Sequence, residues 1–139
     1  MTRSSQLPGA APFAGRLLLA SLFLLSGVAK LADPAGTQAY IASSGAPFPQ
    51  AGYAIAVLVE VVGGAMLLAG YRTRLAALVL GAFTLAAAAL FHNQLSDQLQ
   101  FIMFMKNVAI TGGLLQVAAF GPGWFSIDNR SASPALARA

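Results

Sequence analysis

Glu60 is the residue that needs explaining first. It is the single charge in residues 52–70, GYAIAVLVEVVGGAMLLAG, a run of about twenty apolar residues long enough to cross a bilayer. An ionised group at that depth costs at least about 2.5–3.5 kcal/mol, so it must face protein or water and have a partner. Lys30, His92, Lys106 and Asn107 stand in or at the ends of the other apolar runs and are the available partners. A carboxylate and an imidazole can exchange protons, which makes Glu60 and His92 the candidate catalytic residues. Lys30, Lys106 and Asn107 offer N–H donors to a ligand oxygen and are the candidate binding residues. The plainer reading is that Glu60 and one lysine neutralise each other and hold helix register. Two cations and an amide around one acid exceed what pairing requires.

Four spans are needed to position these groups. The first is expected over residues 13–32, where Arg16, Ala20, Phe23, Gly27 and Lys30 repeat at steps of four and three and so share a face. Its uncharged core is short, so Arg16 and Lys30 are expected to snorkel towards opposite surfaces. A cleavable signal peptide is the rival reading of a basic start before a short apolar core. Asp33-Pro34 reads as an N-cap followed by proline at the first helical position, which opens a short interfacial helix ending near Gly45. The second span, residues 51–70, puts Ala56, Glu60, Gly63 and Gly64 on one small-residue face. The third lies within residues 75–96, with Arg74, Leu78, Gly81, Leu85, Ala88 and His92 on a face. The fourth, residues 101–120, carries the stripe Lys106, Ala109, Gly113, Gln116 and ends at Gly121-Pro122-Gly123. Tyr53, Phe91, Phe101 and Phe104 fall near the same end, as belt, core or pocket wall. Residues 1–12 are expected as a disordered leader, 13–128 as the membrane domain and 129–139 as a disordered tail.

Topology follows from where lysine and arginine sit. Arg3, Arg16, Arg72, Arg74, Arg130 and Arg138 mark both termini and the loop after the second span as cytoplasmic. Glu60 and Lys106 then lie roughly 13 Å and 8 Å below the outer edges of their spans, at about 1.5 Å per residue. The five polar residues converge on the outer half, with Glu60, Lys30 and Lys106 as a charged floor and His92 as the rim.

Composition bounds the rest. Of 139 residues 58% are hydrophobic and 9% charged, against roughly 25% charged in soluble domains, and mean hydropathy is +0.73. The expected fold is therefore an all-α integral membrane four-helix bundle. With no cysteine and a single histidine, thiolate-held iron–sulfur clusters and a bis-His haem within one chain are excluded, and no metal site is expected. The net charge of +4 is spread over span ends, which is a membrane pattern rather than a nucleic-acid one. No GxGxxG, P-loop, HExxH or GxSxG motif is present.

Five segments in order, GRLLLASLFLLSGVAKLAD, VEVVGGAMLLAG, the FH at residues 91–92, KNVAITGGLL and GPGWFSID, resemble the DoxX family of small four-helix bacterial membrane proteins. That family is related to the membrane subunit of thiosulfate:quinone oxidoreductase. The resemblance covers residues 14–128, and Lys30, Glu60, His92, Lys106 and Asn107 stand where the family has its polar residues. It implies a bacterial inner-membrane location and an association with redox metabolism. If its quinone link carries over, the chain is a quinone-binding subunit of a quinone-linked oxidoreductase. Lys106 or Asn107 would then stabilise the reduced carbonyl oxygen, Glu60 or His92 would exchange protons, and electrons would come from a redox partner protein or a bound small reductant. The alternatives are a non-catalytic membrane anchor or assembly factor and, third, a small transporter. Homo-oligomerisation stays open.

Overall fold

A computed structural model describes residues 9–132. Every regular element among them is helical, and four helices are long and apolar enough to cross a membrane.

The first span is α1, Ala10–Ala32. It starts inside the stretch expected to be a disordered leader; residues 1–8 lie outside the described part. Asp33 ends α1 and its carboxylate accepts from the Gly36 N–H at 2.9 Å, capping α2, Pro34–Ser43. The second span, Pro49–Ala69, is α3 (Pro49–Leu58), a π-helical turn (Val59–Gly63) and α4 (Gly64–Ala69) in sequence. Gly70 then takes φ 68°, a left-handed conformation suited to glycine, and stops the helix. The third span is α5, Thr73–Phe91. It ends at His92, as expected. Asp97 accepts from the Gln100 N–H at 2.9 Å and opens α6, Gln98–Phe120, three residues before the expected start. Gly121, at φ 85°, closes it. A final helix, α7, covers Ile127–Ala132 and crosses from the expected membrane domain into the expected tail. Ser126 Oγ accepts from the Asn129 N–H at 3.1 Å and supplies its cap. Residues 133–139 lie outside the described part.

The buried faces combine small residues with a few large ones, among them Phe23, Leu67, Leu80 and Leu114. On α1 the predicted stripe holds, with Arg16, Ala20, Phe23 and Gly27 all buried. A Cβ on Gly27 would lie 2.6 Å from Val61 Cγ2 and 3.3 Å from Glu60 Cβ, so glycine is what lets α1 touch the π turn. On the second span Ala56, Glu60, Gly63 and Gly64 are buried as the spacing predicts. On α5 the predicted face is displaced. Gly81 and Ala88 of that face are buried, but Leu78 and Leu85 are 52% and 44% exposed, and Ala76, Ala77, Leu80 and Thr84 are buried in their place. Lipid tails are as apolar as leucine, so burying leucine gains little while small side chains allow close helix contact. The fourth span departs most from expectation. Lys106, Ala109 and Gln116 are exposed and Gly113 is half-buried, while Thr111 and Leu114 point inward. α6 packs chiefly along α5 and touches α1 only briefly, because α1 is occupied by the second span.

Candidate functional site

The site is built from the second span outward. The π turn carries Glu60 into the bundle, 5% exposed, opposite the Ser26–Lys30 turn of α1. π turns widen a helix locally and recur at functional positions. Lys30 Nζ lies 2.9 Å from Glu60 Oε2 and donates to Oε1 at 3.1 Å. It also donates to Ser26 Oγ at 2.7 Å, and the Ser26 hydroxyl donates to Glu60 Oε1 at 3.2 Å. Lys30 therefore turns inward to pair rather than snorkelling. Oε1 takes both hydrogen bonds. Oε2 is buried and held by the same ammonium as an ion pair.

Two cavities meet at this carboxylate. The larger, about 400 Å³, lies between α2, α3 and α5 and is walled by Lys30, Thr37, Ile41 and Ala56. Tyr40 of α2 stacks on Phe91 of α5 at its margin, with centroids 5.2 Å apart. The smaller, about 260 Å³, lies between α1, α5 and α6 and includes Ser26, Thr84, Lys106 and Asn107. Glu60, Phe83, Ala87 and His92 belong to both. His92 Nδ1 is 3.0 Å from Gln100 Oε1; with the amide oxygen accepting, Nδ1 holds the proton and Nε2 of a neutral ring is free to accept.

All five candidate residues thus lie at the end of the bundle away from the termini. Lys30 and Glu60 are bonded to each other, and His92 lies in the shared wall. Lys106 and Asn107 face Glu60 across the smaller cavity without touching it; neither side chain has a hydrogen-bond or ion-pair partner among the described residues.

At the opposite end the structure places a second polar cluster that spacing alone did not reveal. Arg16 is 1% exposed and does not snorkel. Its Nη1 donates to the carbonyls of Leu67 and Leu68 at 2.9 and 3.0 Å, and its Nη2 to that of Phe125. The guanidinium thereby satisfies carbonyls left open where α4 ends. Asp128 caps α5: its carboxylate accepts from the Arg72 N–H at 2.8 Å, the Thr73 N–H at 2.9 Å and the Thr73 hydroxyl at 2.8 Å. Burial alone would raise the Asp128 pKa. The Thr73 and Arg72 hydrogen bonds and the nearby Arg16 charge outweigh it and hold the carboxyl below its usual range. The available signal was GPGWFSID itself, which returns an acid to a basic loop.

The DoxX family profile matches residues 11–93. The chain is 41% identical over 115 residues to the inner membrane protein YqjF of Escherichia coli strain K12, a match covering 81% of this chain and 85% of that protein. It is 35% identical over 120 residues to the inner membrane protein YphA of the same strain, covering 83% and 86%. No solved structure matches significantly.

Proposed function

This chain belongs to the DoxX family of inner-membrane proteins, and from that premise we propose that it is a quinone-binding membrane subunit of a redox system. The observation that carries the reading is Glu60, buried and ion-paired with Lys30, in a wall common to two cavities, with Lys106 and Asn107 lining the smaller one and without a side-chain partner among the described residues. Donors without a protein partner at the edge of a buried carboxylate site suit a ligand oxygen, such as that of a quinone. The larger cavity falls within the roughly 300–1,000 Å³ of small-molecule sites and the smaller, about 260 Å³, lies just below it; both are mostly apolar with a few polar groups.

In this reading the headgroup lies in the smaller cavity. One carbonyl oxygen accepts from Lys106 Nζ and Asn107 Nδ2, which stabilise the charge it gains on reduction. The quinone takes up two electrons and two protons and forms two O–H bonds. The electrons come from a redox partner protein, which is oxidised; Glu60 and His92 pass the protons. The loops at this end contain no lysine or arginine, which favours an orientation facing away from the cytoplasm, with both termini cytoplasmic.

The test is extraction of lipophilic molecules from protein held in native-lipid discs. Quinone should be enriched over the bulk membrane in the wild type and lost in folded Glu60→Gln. Absence of enrichment overturns the reading. One observation favours the alternative of a membrane anchor: Gly112, on the outward side of α6, has nothing within 4 Å of where a Cβ would stand. A partner protein retained by both wild type and Glu60→Gln, without quinone, would support that alternative.

A further inference from the structure

His92 is the single histidine of the chain and stands at the C-terminal end of α5. Its backbone N–H donates to the Ala88 carbonyl at 2.9 Å, and the preceding Phe91 is stacked on Tyr40. The loop that follows turns the chain back, with the Leu95 N–H donating to the Asn93 carbonyl at 3.1 Å and the Asp97 N–H to the Gln94 carbonyl at 3.0 Å. Asp97 then fixes the start of α6 by accepting from the Gln100 N–H. That cap sets Gln100 in the first turn of α6, with its Oε1 3.0 Å from His92 Nδ1. Two side chains on different helices are thereby joined across the α5–α6 hairpin.

The chemistry of the partner decides what the ring can do. An amide is uncharged and does not titrate, so Oε1 accepts from Nδ1–H but cannot carry that proton away. The hydrogen bond made by one ring nitrogen sets the state of the other. With Nδ1–H committed to Gln100, gain and loss of a proton by His92 are confined to Nε2. The charged groups in the two cavities that His92 walls are Lys30 of α1, Glu60 of the π turn and, in the smaller one, Lys106 of α6. Lys30 and Ser26 already engage Glu60, whereas Lys106 offers only N–H donors. A neutral ring open at Nε2 adds an acceptor to that set. Donors and an acceptor together distinguish a hydroxyl from a carbonyl, because only the hydroxyl can donate to Nε2.

We propose that Gln100 is a positioning residue that fixes His92 in the Nδ1–H form and so makes Nε2 the atom through which the site exchanges a proton with a ligand hydroxyl. That the hydroxyl belongs to a quinol rests on the quinone reading of the site. On reduction the Nε2–H bond of a protonated ring breaks and an O–H bond forms on the ligand. The ring returns to neutral, and Nε2 accepts from the new hydroxyl. The electrons come from the redox partner protein, which is oxidised. The bond from Nδ1–H to Gln100 is kept throughout, and quinol oxidation runs the same steps in reverse.

Because the chain holds one histidine, nitrogen NMR with isotope-labelled histidine reads this ring alone when the full chain is purified without a histidine tag and placed in lipid discs. At a pH where the ring is neutral, the wild type should show the proton on Nδ1 and a bare Nε2. Gln100→Leu should move the proton to Nε2, the form an unconstrained imidazole side chain favours. Gln100→Glu, which keeps an acceptor oxygen, should hold it on Nδ1. Tail-free dimethoxy-methyl-benzoquinol should shift the Nε2 resonance of the wild type, and in Gln100→Leu its affinity relative to the matching quinone should fall by about tenfold. A side chain that only staples the hairpin would lower the unfolding midpoint and leave the tautomer in place. A proton on Nε2 in the wild type, or one that stays on Nδ1 in Gln100→Leu, overturns the proposal, and the first of these needs no variant to fold. A tautomer that depends on Gln100, with no response of Nε2 to quinol or quinone, overturns the quinone reading and leaves the positioning role standing.

Discussion

Lys30 Nζ lies 2.9 Å from Glu60 Oε2, so the acid in the second span is answered from α1 and not from α6. Lys106 is thereby left without a protein partner among the described residues, at the mouth of a cavity that leads to the same acid. The two lysines therefore have separable consequences.

Glu60→Ala leaves Lys30 without its counter-ion and should destabilise the bundle by about 2 kcal/mol. That is less than the 3–5 kcal/mol of a fully buried broken pair, because the Lys30 side chain retains 25% of its exposure. Lys30→Met combined with Glu60→Met should recover much of the loss. Thermal unfolding in one detergent checks both, and equal midpoints for wild type and Glu60→Ala would contradict the pairing.

Lys106→Met should leave the unfolding midpoint unchanged, since its ammonium bonds to nothing among the described residues. Retention of quinone should fall by about tenfold, the worth of one charged hydrogen bond. Titration in lipid discs reads the affinity.

Arg16→Met should free the carbonyls of Leu67, Leu68 and Phe125 and cost roughly 3 kcal/mol. The segment after α6 is held in part by this guanidinium, so chymotrypsin should cut at Trp124 and Phe125 faster in the variant. Arg16→Lys should restore little, because one ammonium cannot reach three carbonyls in a fork.

Asp128 gives the same clasp a pH dependence. Its folded pKa is depressed, so its contribution is fully present above the ordinary carboxylate range and disappears as pH falls through the lower folded value. Cleavage at Trp124 should be slow from neutral pH down to that range and accelerate below it. Asp128→Asn should flatten the profile.

Gly27→Ala places a Cβ 2.6 Å from a stiff valine methyl and 3.3 Å from backbone nitrogen of the π turn. It should cost about 1–3 kcal/mol through overpacking and shift Glu60 relative to Lys30. Gly112→Ala, with open space around it, should stay within about 0.5 kcal/mol. Unfolding midpoints of the two variants give the comparison.

Much of this was legible in the residue pattern, and for one reason. Backbone groups in a bilayer must bond within their own segment, so apolar run length alone specifies spanning helices, and an acid in such a run must turn inward. That reasoning yielded four spans, the short helix opened by Asp33, the buried stripe from Arg16 to Gly27, the Glu60 face, and the gathering of Lys30, Glu60, His92, Lys106 and Asn107 at one end.

What only the tertiary structure decided depends on rotations that no single helix specifies. In lipid, leucine has no preference for the interior, so apolarity did not select the faces of α5 and α6: Leu80 and Leu114 are buried while Leu78, Leu85 and Leu115 are exposed, and Lys106 turned to the rim. The choice of Lys30 as partner follows from α1 packing on the second span through Gly27, which brings the Ser26–Lys30 turn against Glu60. Arg16 reads as a snorkelling residue in isolation. It became an interior clasp because the chain after α6 folds back and presents a carbonyl and an acid to it, an encounter between residues more than a hundred positions apart.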